Sequence, residues 1–117
     1  MKKNLFSFIG SVFRTNILSH KSMTYQEFKE SLEKEKPDAG LNPILIALWH
    51  DAKGDWEAAH DVAQSREGTR DYDRLHAYLH REEGDAWNAN YWYRRAASTM
   101  PTGTLQEEWE SLVKENL

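Results

Sequence analysis

A shift of 30 residues lays one stretch of this chain over another: Leu45 on Leu75, Ala47 on Ala77, His50 on His80, Gly54 on Gly84, Asp55 on Asp85 and Ala59 on Ala89. Six identities around a shared Gly-Asp pair describe one unit used twice. In each copy, apolar residues at helical spacing run into a glycine that stops the helix. The aspartate after it can accept hydrogen bonds from the free N–H groups opening the next helix. Small alanines on both sides let the paired helices approach closely. The unit is therefore an antiparallel helical hairpin, and one hairpin alone cannot bury its apolar face.

Local punctuation extends the helical reading to the whole chain. Thr24-Tyr25-Gln26-Glu27 and Thr104-Leu105-Gln106-Glu107 both have the capping-box pattern. Asn42-Pro43 pairs a cap with a proline in the first turn, where its missing N–H costs nothing. Tyr72, Leu75, His76 and Leu79 fall at i, i+3, i+4 and i+7, so they share a helix face. After Asp85, a long helix is expected to carry Ala89, Tyr93, Ala96 and Met100 until Pro101 breaks it. No segment alternates apolar and polar residues as a strand would. The expectation is one all-α domain over residues 1–117. It comprises an amphipathic N-terminal segment (1–20), the duplicated hairpin (43–101) and a C-terminal capping helix (104–116).

Gly54-Asp55-Trp56-Glu57-Ala58-Ala59 resembles the turn and second-helix start of a tetratricopeptide (TPR) repeat. Ala77, Gly84-Asp85, Ala89, Tyr93, Ala96 and Pro101 follow the same order of residue types in the second copy. The resemblance covers residues 43–101. It departs from the family in lacking the Trp-x2-Leu-Gly pattern of the first helix, and its spacing is shorter than the family's usual repeat length. Residues 75–96 also resemble stretches of uncharacterised bacterial proteins, which implies no function. A TPR-like stack implies a non-enzymatic module that binds a protein or peptide, or a second copy of itself, through a shallow groove. The resemblance places Leu48, Asp51, Tyr78 and Arg81 on the outer sides of the first helices as contacts.

Composition narrows the field. The chain has no cysteine, which excludes disulfides, thiolate catalysis and Cys-ligated zinc. Its net charge of −4 is unevenly spread. Residues 1–36 hold seven Lys/Arg against four Glu, whereas residues 37–117 hold eight against fifteen acids. An acidic body repels a phosphate backbone, so no nucleic-acid partner is expected. Leu5, Phe6, Ile9, Val12, Phe13 and Ile17 follow helical spacing beside Lys2, Lys3 and Arg14. A docked helix is the main expectation for residues 1–20 and membrane contact the lesser one. The run is too short to span a bilayer, and a cytoplasmic location is expected.

Two groups of residues could carry function. His76 and His80 lie one helical turn apart, and His60 on the neighbouring helix could approach His76 if the hairpins stack. With His50 they form a candidate site for zinc or a similar divalent metal, or for acid–base chemistry. Ala77 stands where a zincin motif would need its glutamate. Packed histidines in a core are the plainer expectation, and no cofactor is then required. Trp87, Tyr91 and Arg95, with Trp92 and Arg94, make the second group, an aromatic–cation surface suited to anchoring a partner. The plainer expectation is that Trp92 and Tyr93 are core and the Arg94 and Arg95 stems cover their edges. The acidic pairs Asp71/Asp73 and Glu82/Glu83 read as solvated faces.

Overall fold

The structure, a computed structural model, describes residues 22–117 of the chain, so the helix expected over 1–20 lies outside the described residues. Six helices follow in order: α1 (Tyr25–Ser31), α2 (Pro43–Ala52), α3 (Trp56–Gln64), α4 (Arg70–Glu82), α5 (Ala86–Arg95) and α6 (Leu105–Asn116). No strand occurs among the described residues. From α2 to α5 each helix packs on the next, and α6 packs on both α2 and α4.

The helix starts follow the capping residues. Thr24 and Thr104 form complete capping boxes with Glu27 and Glu107. Asn42 accepts from the Ile44 N–H at 2.8 Å. The turns of the two hairpins are geometric copies. Gly54 and Gly84 sit at φ +90° and +87°, a region that side chains with a Cβ rarely occupy. Asp55 and Asp85 follow at φ/ψ of −101/74° and −97/78°. Their N–H groups return to the carbonyls of His50 and His80, both at 2.9 Å. Each aspartate then accepts from the third residue on, Ala58 at 3.0 Å and Asn88 at 3.1 Å. The repeat seen in sequence is thus a repeat of backbone conformation.

One helix is shorter than its pattern suggests. The α5 helix ends at Arg95 and does not run to Met100, because Ala97 adopts a left-handed φ of +54°. The reversal is closed by Ser98 N–H to Tyr93 carbonyl at 2.8 Å and Ala97 N–H to Arg94 carbonyl at 3.0 Å. Periodicity places Ala96 and Met100 correctly as apolar positions, but it carries no signal for an αL residue that is not glycine.

Phe28, Ile44, Leu45, Leu48, Leu75, Leu79, Leu112 and Val113 form the centre of the core. Tryptophan indoles fasten its layers by donating to backbone carbonyls of other segments. Trp49 reaches Ser31, Trp109 reaches Leu48 and Trp56 reaches Leu79, at 3.2, 3.1 and 2.9 Å. Each bond satisfies a donor that burial would otherwise penalise. Charge fastens α6 as well. Buried Glu108 on α6 accepts from Arg74 at 2.6 Å, Arg81 at 2.7 Å and the Tyr93 hydroxyl at 2.6 Å. One carboxylate therefore joins α4, α5 and α6.

Candidate metal centre

The packing of α3 on α4, joined by the turn at 65–69, brings three histidines together. His60 projects from α3, while His76 and His80 come from one face of α4. One ring nitrogen from each falls within 4.8 Å of the other two. The His60 and His76 Nε2 atoms are 3.0 Å apart. Two nitrogens on a tetrahedral ion with metal–nitrogen bonds of about 2.0–2.1 Å would stand roughly 3.3 Å apart. The pair is therefore within a few tenths of an ångström of a ligating separation.

Aromatic rings fix these imidazoles from both sides. Trp56 stacks on His60 with centroids 4.6 Å apart and planes 12° from parallel. Trp92 stacks on His76 at 3.9 Å and 18°. Glu83 accepts a hydrogen bond from His80 Nδ1 at 2.7 Å, which leaves Nε2 as the nitrogen carrying a free lone pair. Whichever tautomer His76 adopts, its buried Nδ1 has no hydrogen-bond partner in the fold. Hydrogen bonding holds the ring through Nε2 alone, which meets His60 Nε2 at 3.0 Å.

The electrostatics favour the neutral, ligating form. Burial, followed by the proximity of His60 and His80, pushes the His76 pKa down to about 4. His60 is lowered by burial and then by His80, with Glu57, Asp61 and Glu83 opposing. Neutral imidazole is the form a metal ion takes, so these shifts keep both rings competent near neutral pH.

Of the four histidines singled out in the sequence, three converge and His50 does not. Although His50 and His80 are equivalent in the repeat, among the described residues no helix packs on α2 in the place that α3 takes beside α4. The His50 ring instead stands edge-on to Trp49, with centroids 5.3 Å apart. Sequence reasoning missed Trp56, Trp92 and Glu83 as parts of the site. Glu83 is exposed, in keeping with its reading as part of a solvated face, and its i, i+3 spacing from His80 was the signal for its second role.

The expected groove residues have other surroundings. Leu48 has no exposed surface, and Tyr78 and Asp51 are also buried. The reason is α6, which packs on α2 and α4 and covers the sides that a TPR-like pair would leave open. Arg81 is held by Glu108 and by the Gly103 carbonyl at 2.5 Å. What remains open on that side is a cleft of about 390 Å³ lined by Asp51, Tyr78, Glu82, Leu32 and Trp109, among others. In it, burial raises Asp51 against the opposing hydrogen bonds of Glu82 and Tyr78, and burial together with Asp51 raises Glu82 to about 8. The two carboxyls thus hold a proton between them near neutrality. Asp73 likewise departs from the expected solvated face: it is buried and accepts from the Gly68 N–H at 3.0 and 3.2 Å.

The second candidate surface is exposed. Trp87 is 79% exposed and Tyr91 37%. The Arg95 guanidinium lies 5.8 Å from the Tyr91 ring and 5.4 Å from the Trp92 ring. Among the described residues, no helix is long and apolar enough to cross a membrane. Compared with protein-family models, curated proteins and solved structures, the chain matches none.

Proposed function

We propose that this protein binds a divalent transition metal, zinc or an ion of similar preference, through His60, His76 and His80. The observation that carries this reading is the convergence of three imidazole nitrogens, from two helices, within 4.8 Å of one another. An all-imidazole set suits zinc, copper, nickel or cobalt better than the oxygen-seeking magnesium or calcium. The Glu83 carboxylate behind His80 supplies the outer-shell hydrogen bond that orients a ligating ring. The test is metal analysis of tag-free protein by mass spectrometry, on the parent chain and His60→Ala. About one equivalent of metal in the parent and its loss in the variant is the expected result. Metal-free parent protein that also fails to take up zinc on titration overturns the proposal.

The exposed face of α5 favours a second role, contact with a protein or peptide or with another copy of the chain. Trp87, Tyr91 and Arg95 combine an apolar ring, an amphipathic ring and a guanidinium on one helix, the residue types that dominate interface energetics. The hairpin pair α2–α3 and α4–α5 would act as a divergent TPR-like scaffold presenting that face. A Trp87→Ser/Arg95→Ala variant should lose any concentration-dependent association seen by sedimentation. Unchanged association would remove α5 from consideration.

A further inference from the structure

We infer that the histidine centre keeps one coordination position open to solvent, where a small monodentate anion binds in exchange with water. This inference rests on the metal-binding reading and extends it from occupancy to reactivity. The donor set comes first. Three histidines supply three ligands, and four-coordinate zinc needs a fourth. Two carboxylates beside His80, Glu83 and Asp85, are already engaged, while Glu57 and Asp61 act on His60 by charge and do not join the group of three nitrogens. Glu83 receives the Nδ1 proton of His80, on the ring edge away from the free Nε2. Asp85 caps α5 through the Asn88 N–H at 3.1 Å and also accepts from the Asn88 side-chain amide at 3.2 Å. No cysteine exists in the chain to close the site.

The second argument is access. His76 and His80 are buried, but His60 is only half-buried, so the shell around the three nitrogens is incomplete on the α3 side. Trp56 and Trp92 occupy the flanking faces of His60 and His76 as flat apolar walls that donate no ligand. The Trp56 indole N–H is turned to the Leu79 carbonyl, which leaves the ring face, not its polar edge, toward His60. A centre with three neutral ligands carries the full charge of the ion. It therefore attracts an anion and lowers the pKa of bound water. The Trp56 and Trp92 rings stacked on His60 and His76 confine the space around them, so the partner of this centre is small: hydroxide, azide, thiocyanate or a similar ion.

Cobalt(II) tests this on the full chain, because its visible spectrum reports coordination number and ligand exchange. Cobalt-loaded protein, freed of excess metal by gel filtration, should show the intense absorption of a four-coordinate ion. Titration with sodium azide should shift that band saturably at one site. Glu83→Gln preserves an acceptor for His80 Nδ1 and removes a carboxylate ligand, so it should keep both cobalt and the azide response. Glu83→Ala should lose roughly 10- to 100-fold in cobalt affinity. A bound cobalt whose spectrum ignores azide overturns the open position and leaves the metal centre standing. An azide response seen in Glu83→Gln but not in the parent does the same, because Glu83 is then the fourth ligand. Failure to retain cobalt, nickel or zinc overturns both readings together.

Discussion

Adding metal to the chelator-treated protein should raise its melting temperature, and His60→Ala should abolish most of that rise. Three nitrogens within 4.8 Å exist only when α3 is docked on α4, so the full ligand set belongs to the folded state. An ion bound to the native state alone stabilises it by RT ln(1 + [L]/Kd), about 2.7 kcal/mol at a hundredfold excess over Kd. The unfolded chain loses His60 but can still bring His76 and His80 together transiently, which trims the figure to roughly 2 kcal/mol. For a domain of this size, each kcal/mol moves the midpoint by roughly 4–8 °C, so the rise should be on the order of 10 °C. His60→Ala removes the α3 ligand and should leave a rise of a few degrees at most. His50→Ala is the discriminating control: the sequence repeat makes His50 the counterpart of His80, whereas the structure leaves it out of the cluster. It should keep the full rise. Differential scanning fluorimetry with zinc and with EDTA reads both variants. An equal rise in parent and His60→Ala, or loss of the rise in His50→Ala, would refute the reasoning.

Other consequences follow from the fold itself. Glu108→Ala should destabilise by roughly 3–5 kcal/mol in urea unfolding, because it strands Arg74, Arg81 and the Tyr93 hydroxyl at a buried position; a loss below about 1 kcal/mol would mean those groups find water. Ala97→Gly should stabilise by about 0.5–1 kcal/mol, since the φ of +54° is strained for alanine and free for glycine, with an unchanged urea midpoint as the contrary result. The proton held by Asp51 and Glu82 fixes a sign for pH dependence. Glu82 is raised to about 8, so above the ordinary carboxylate range the native state keeps a proton that the unfolded chain has released. Stability from this source is therefore full at acid pH and falls as pH rises toward 8. Measured between pH 7 and 8.5, where histidines in the unfolded chain are mostly neutral, the fall should be roughly 1 kcal/mol after solvent screening at this half-buried carboxyl. Glu82→Gln should flatten it, and a parent profile that rises with pH would contradict the shared proton.

Local rules account for most of the helices. Thr24, Asn42, Asp55, Asp85 and Thr104 each accept from the backbone of the helix they precede. The information lies within four residues of chain, so reading along the sequence recovers it. The Gly54-Asp55 and Gly84-Asp85 turns were legible for the same reason, down to the matched carbonyl returns at His50 and His80. His76 and His80 were legible as a pair because i, i+4 spacing on one helix is also a local fact. The end of α5 was not, because it depends on an alanine in a conformation alanine does not favour.

The sequence by itself determined the helices, their caps and the repeated turn, because each of these is an interaction between near neighbours in the chain. Tertiary structure alone decided which histidines meet, because His60 reaches His76 only through the packing of α3 on α4. It also decided that the expected groove is covered. Whether Leu48 and Tyr78 face solvent depends on where α6 lands, and what draws α6 there includes a carboxylate, Glu108, held by arginines 34 and 27 residues away in sequence. Periodicity says which face of a helix is apolar, but only the docked partner says what that face touches.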